Sequence, residues 1–230
     1  MKPINLIALL SFLLVTTTSL VAQKTFSEGS VAFELSDISS DNPQVAGQLD
    51  MMKGSKMTIY IKDGKQMTSM NMMNGMMQQN MILNPKKDSM LMLMDMMGRK
   101  IKVNMPVDKP DPDKVETSIE YFEDDRKTIA GYDTYKAVLT TKTEGTEMSM
   151  VAYITEDYKF DGNMIQNMEG AQELRGMPLE YTIEQPQISM TFTANEVKTS
   201  VDSSVFEFDT SDYEVMSAED MQNMGGGMGF

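Results

Sequence analysis

Two dipeptides, Asp63-Gly64 and Asn74-Gly75, constrain this chain more than any other feature. Both positions of a two-residue hairpin loop take positive φ, which Gly, Asn and Asp tolerate and bulkier residues resist. The dipeptides separate KMTIYIK, KQMTSMNMM and MMQQNMIL, runs whose residues alternate with the period of two that marks strands. The pattern continues beyond them. Residues 85–88 (PKKD) form a four-residue loop to SMLMLMDM, and Met97-Gly98 is a weaker turn into RKIKVNM because Met accommodates positive φ poorly. A five-strand antiparallel meander over residues 56–105 is the predicted result.

Loop lengths set the register by arithmetic. A two-residue loop at Asp63-Gly64 pairs Lys62 with Lys65, Ile59 with Thr68 and Met57 with Met70. One at Asn74-Gly75 pairs Met73 with Met76 and Met72 with Met77. The 85–88 loop pairs Asn84 with Ser89, hence Met81 with Met92 and Met77 with Met96; Met97-Gly98 sets Met94 against Ile101 and Met92 against Val103. Residues directly opposite share a sheet face. One face therefore collects Met57, Ile59, Ile61, Met70, Met72, Met77, Met81, Leu83, Met90, Met92, Met94, Met96, Ile101, Val103 and Met105, ten of them methionines. The other face is mostly polar (Thr58, Tyr60, Lys62, Asn71, Asn80, Lys100, Lys102), with Met67, Ile82, Leu91 and Leu93 as apolar exceptions.

Elsewhere the pattern predicts strands at 29–37, 127–142, 146–154, 178–185 and 188–199. A helix is expected at 43–52, capped by Asp41 or Asn42, started by Pro43 and ended at Gly54. A second short helix is expected at 163–174, with Met164, Met168 and Ala171 on one side. Residues 106–118, with three prolines, read as a surface excursion. Residues 217–230 lack a folding pattern and read as a flexible tail of Met and Gly. The predicted fold is mainly β, a curved antiparallel sheet with one or two short helices, forming a single domain over 24–216.

The first 23 residues have the layout of a secretory signal peptide: Lys2, an apolar core from Ile4 to Val15, and a small-residue cleavage point at Ala22-Gln23. The expected location is exported, periplasmic or extracellular, soluble once the signal is cleaved, with no integral membrane span. The formal charge of −14 makes a nucleic-acid partner unfavourable. The chain has no Cys and no His, which removes thiol nucleophiles, His acid–base chemistry and the usual zinc ligands. Asp108, Asp111, Asp113 and Glu116 lack the glycine and the twelfth-position acid of a calcium loop. The chemistry implied is binding without catalysis and without a cofactor.

Three uses of the methionine face compete. It is plain core; or an adaptable surface for an acyl chain or other hydrophobic ligand, since unbranched thioethers reshape readily; or a Cu(I) site, with Met77, Met81, Met92 and Met96 as candidate soft donors. The second is the reading adopted, with the fifteen face residues as ligand-lining candidates. Core alone, with function elsewhere, and copper remain as alternatives.

Three later stretches, IAGYDTYKAVLTT (129–141), GMPLEY (176–181) and VDSSVFEFDTSDYEVM (201–216), together resemble the exported bacterial domain-of-unknown-function family 4412. The matching elements are Gly131-Tyr132, the run from Gly176 to Glu180, and Val201 to Met216. The resemblance implies an envelope location and a half-barrel like that of the lipoprotein carriers, holding acyl chains on the concave face. It implies no catalytic residues, and it does not require the density of methionine found here. Gly131 and Gly176 are expected at sharp turns.

Overall fold

A computed structural model describes residues 23–42, 46, 47, 49–84, 88–107, 115–143, 146–160, 164, 165, 169–185 and 188–225. Residues 1–22 of the expected signal peptide therefore lie outside the described residues, as do 85–87 of the expected PKKD loop and Asp108, Asp111 and Asp113. Glu116 lies on a strand.

The described residues form one open twelve-stranded sheet and one two-stranded sheet. In chain order the strands are β1 (Lys24–Phe26), β2 (Gly29–Ser40), β3 (Lys56–Lys62), β4 (Lys65–Met72), β5 (Met77–Asn84), β6 (Ser89–Met96), β7 (Arg99–Pro106), β8 (Val115–Ile129), β9 (Tyr132–Thr143), β10 (Thr146–Thr155), β11 (Tyr158–Phe160), β12 (Met177–Gln185), β13 (Ile188–Lys198) and β14 (Glu214–Met216). The large sheet runs β14-β7-β6-β5-β4-β3-β2-β13-β12-β10-β9-β8, with β14 and β8 as its edges. Every pairing in it is antiparallel except β14 on β7. The mainly β, open antiparallel architecture is the one expected.

The two halves of the sheet differ in regularity. From β3 to β7 the ladders run without a register shift. In the other half the register slips at Thr191/Phe192, Ala194/Glu196, Tyr153/Ile154 and Phe122/Arg126. Bulges of this kind bend a strand and increase its twist, so curvature concentrates there. The contiguous core lies on the inner face of that half. Val31, Phe33, Leu139, Met150, Ile154 and Leu179 are all but fully enclosed in it, and it reaches Met57, Ile59 and Ile61 on β3. Phe26 of the small sheet, where β1 pairs in parallel with β11, and Met164, Ile165 and Leu174 belong to the same cluster.

Several expectations need correction. The strand expected at 127–142 is two, because Ala130 and Gly131 both take positive φ (49° and 86°) in a tight turn between β8 and β9. β8 begins at Val115, inside the stretch expected to be a surface excursion. Gly176 does lie on a bend, as expected, but close backbone approach is a further reason for glycine there: a Cβ would stand 2.2 Å from the Thr155 carbonyl oxygen. The helix expected at 163–174 is not seen among the described residues; Met164 and Ile165 bend, and a 3-10 turn covers Ala171–Glu173 after Gly170 at φ 82°. Met168 lies outside the described residues. Of the expected helix at 43–52, residues 46, 47 and 49 are helical and a 3-10 turn follows at Asp50–Met52.

The segment read as a tail also contains structure. Ala218–Gly225 form a helix, α1, whose start is capped by Ser217: its Oγ accepts from the Asp220 N–H at 3.0 Å and donates to Asp220 Oδ2 at 2.6 Å. Ser217 and Asp220 carry the S-x-x-D pattern of a capping box. No helix among the described residues is long and apolar enough to cross a membrane.

Candidate functional site

The sheet register places all fifteen candidate residues on one face, the face that carries the core. Four rows cross the sheet there. The first is Met72–Met77–Met96–Arg99. The second runs Phe33–Met57–Met70–Gln79–Met94–Ile101, and the third Val31–Ile59–Thr68–Met81–Met92–Val103. The fourth is Ile61–Gln66–Leu83–Met90–Met105. Four polar residues, Gln66, Thr68, Gln79 and Arg99, share this face and were missed by counting apolar positions alone. The pairing of Ile59 with Thr68 was the signal that could have found one of them.

The Asn74-Gly75 loop is wider than expected. Met72 and Met77 pair as expected, but Met73 and Met76 leave the ladder, so the loop spans four residues. Adding one residue to each side preserves the register beyond it.

Burial divides the face. Its β3 members belong to the contiguous core, and Met70 packs at the margin of that cluster. Farther out, Met72, Met94, Ile101 and Val103 are buried, while Met77, Met81, Leu83, Met90, Met92, Met96 and Met105 are half-buried. This outer region spans β4 to β7, about 14 Å across at ~4.8 Å per strand, and about 20 Å along β5 at ~3.4 Å per residue.

Where core gives way to methionine face, the Tyr181 hydroxyl donates to Met57 Sδ at 3.7 Å. Tyr181 stacks on Phe192 and meets Phe33 edge-on. Burial pushes its phenol above the ordinary tyrosine range, which keeps it a neutral donor. Thr68, 4% exposed in the middle of the third row, is different: its Oγ1 is buried and has no hydrogen-bond partner. A buried orphan hydroxyl costs roughly 1–3 kcal/mol. At the rim, Arg99 and Glu214 form an exposed ion pair at 3.0 Å.

The opposite face is closed by a strap that the sequence did not disclose as such. Lys62 Nζ donates to the Val201 carbonyl at 2.7 Å and to Glu28 Oε1 at 2.8 Å. At the far end Lys102 Nζ donates to Thr210 Oγ1 at 3.1 Å. The segment 201–210 thus runs from β3 to β7 across the outer face, and the chain then adds β14 to the β7 edge. Met67 and Leu93, apolar exceptions on that face, are 3% and 1% exposed.

The four copper candidates do not meet. Met77 faces Met96 and Met81 faces Met92, but the two pairs are four residues apart along the strands, about 14 Å. The Gln79–Met94 pair lies between them.

No family model matches the chain, and no curated protein matches it. Among solved structures, the crystal structure of LprF from Mycobacterium bovis is similar at 13% identity and a TM-score of 0.36, covering 79% of this chain and 93% of that one. A likeness of that size leaves the methionine face without an assigned ligand.

Proposed function

We propose that this is an exported, non-enzymatic domain that holds a lipid-like or otherwise hydrophobic ligand against the inner face of β4–β7. The observation that carries this is the continuation of the apolar face beyond the protein's own core as a field of half-buried methionines. A face serving only as core would be filled by residues that specify packing; methionine does so poorly and loses more rotamer entropy than Ile or Leu when ordered. Flexible thioethers instead adapt to chains of different length and saturation. The buried Thr68 hydroxyl supports the same reading, because a ligand with one polar group would give it the partner it lacks.

Each methylene of an acyl chain buried against such a surface contributes about 0.8 kcal/mol, so a long chain binds without any ionic contact. Export, the single domain over 24–216 and the resemblance to family 4412 belong to the same proposal. Titration with a fluorescent fatty acid tests it. Saturable enhancement is expected, weakened at least about tenfold, near 1.4 kcal/mol, when Met81 and Met92 are both changed to Gln. Absence of saturable binding would overturn the reading.

A further inference from the structure

We infer that the two hairpin tips beside the methionine face form a thioether site for a soft monovalent metal ion, Cu(I) or Ag(I). The Met97 N–H donates to the Met76 carbonyl at 3.1 Å, and the Met76 N–H donates to the Met73 carbonyl at 3.3 Å. The first bond joins the β6–β7 tip to the β4–β5 tip and the second closes the β4–β5 loop on itself, so one short chain of backbone contacts brings the Met73, Met76 and Met97 positions together.

Backbone conformation disfavours methionine at two of these positions and exposure removes the benefit of burial at two, Met73 being half-buried. Met73 and Met97 have φ of 53° and 54°, the left-handed region that most side chains resist. Asn, Asp or Gly would relieve that strain. Met97 is 87% exposed and Met76 is 50% exposed, so neither gains much from burial. What the three positions share is thioether chemistry. Soft sulfur donors select Cu(I) over harder ions, and with no Cys and no His in the chain thioethers are its soft ligands. A formal charge of −14 raises the local concentration of cations. The site is distinct from Met77, Met81, Met92 and Met96, which the register holds apart on the inner face, and it does not depend on whether that face takes a lipid.

The test is a Cu(I) titration of the full mature chain against a chromogenic competitor, repeated with Ag(I) and followed by the methyl resonances of the methionines. One ion is expected to bind, with the Met73, Met76 and Met97 methyls shifting most. The variant M73N/M76L/M97N puts Asn, a residue that accepts left-handed φ, at the two strained positions, so it keeps its fold. It is expected to lose at least about tenfold in affinity, the loss that even outer partners of a metal cause. M81L/M92L is expected to bind like the parent. No binding by the parent chain, parent-like binding by the triple variant, or loss confined to M81L/M92L would each overturn the inference.

Discussion

The Tyr181 hydroxyl points at the sulfur of Met57 from 3.7 Å, and that contact marks the seam between the protein's own core and its methionine face. On one side stand Phe33, Tyr181 and Phe192; on the other the rows lead out through Met70 to Met94 and Ile101. The two sides are expected to respond differently to the same truncation. Ile59→Ala, at a 1% exposed core position, should cost about 2–5 kcal/mol. Met92→Ala, half-buried in the same row, should cost under ~1.5 kcal/mol and should weaken fatty-acid binding. Urea unfolding of both variants checks the contrast; equal losses would make the whole face core.

Thr68→Val offers a sharper separation of stability from binding. Valine matches threonine in shape and removes the orphaned hydroxyl, so the ligand-free protein should gain about 1 kcal/mol. If the hydroxyl meets a polar group of the ligand, the same variant should bind a fatty acid less tightly. Stability that falls would show that Thr68 is already satisfied within the fold.

Alkaline pH probes Tyr181 directly. Its folded phenol is raised by burial, so the native chain keeps a proton that the unfolded chain releases. The stability this group contributes is complete below about pH 10, the ordinary phenol value, and declines above it by up to ~1.4 kcal/mol per pH unit. Tyr135 adds to the same trend, through burial first and the Glu156 carboxylate second. Unfolding midpoints should be flat from pH 7 to about 9 and fall beyond 10, and Tyr181→Phe should make the fall shallower. An unchanged slope would contradict this assignment.

The strap can be released from outside. Lys62→Ala removes the donor to Val201 and Glu28, and Lys102→Ala the donor to Thr210. Hydrogen exchange across 201–210 should accelerate in the double variant while β8–β10 stay protected. Uniform acceleration over the whole sheet would mean the strap is integral to global stability and not a separable cover.

The β3–β7 half was legible in the sequence for a physical reason. Asp63-Gly64 and Met97-Gly98 supply the positive φ that two-residue turns demand, and no bulge intervenes, so counting from each loop lands on the right partner. Even the four-residue tip at Met73–Met76 is symmetric and leaves the count intact. β8 was not legible because its start follows a proline-rich, acidic stretch and its ladder slips between Phe122 and Arg126. Among the described residues of the expected 163–174 helix, apolar spacing over-read its C-terminal part, where Gly170 takes a left-handed φ before a 3-10 turn. The strap rests on lysines reaching a backbone and a hydroxyl oxygen 139 and 108 residues away in sequence, which no local pattern encodes. Thr68 was visible by register but hidden by the habit of counting only apolar residues on an apolar face.

Native mass spectrometry of the protein released gently from its own source, followed by lipid extraction, tests the central claim most directly. A bound amphiphile is expected to copurify, to be displaced by added fatty acid, and to be depleted in the Met81→Gln, Met92→Gln double variant. A parent protein that runs at its bare mass, and yields no amphiphile on extraction, would contradict the claim.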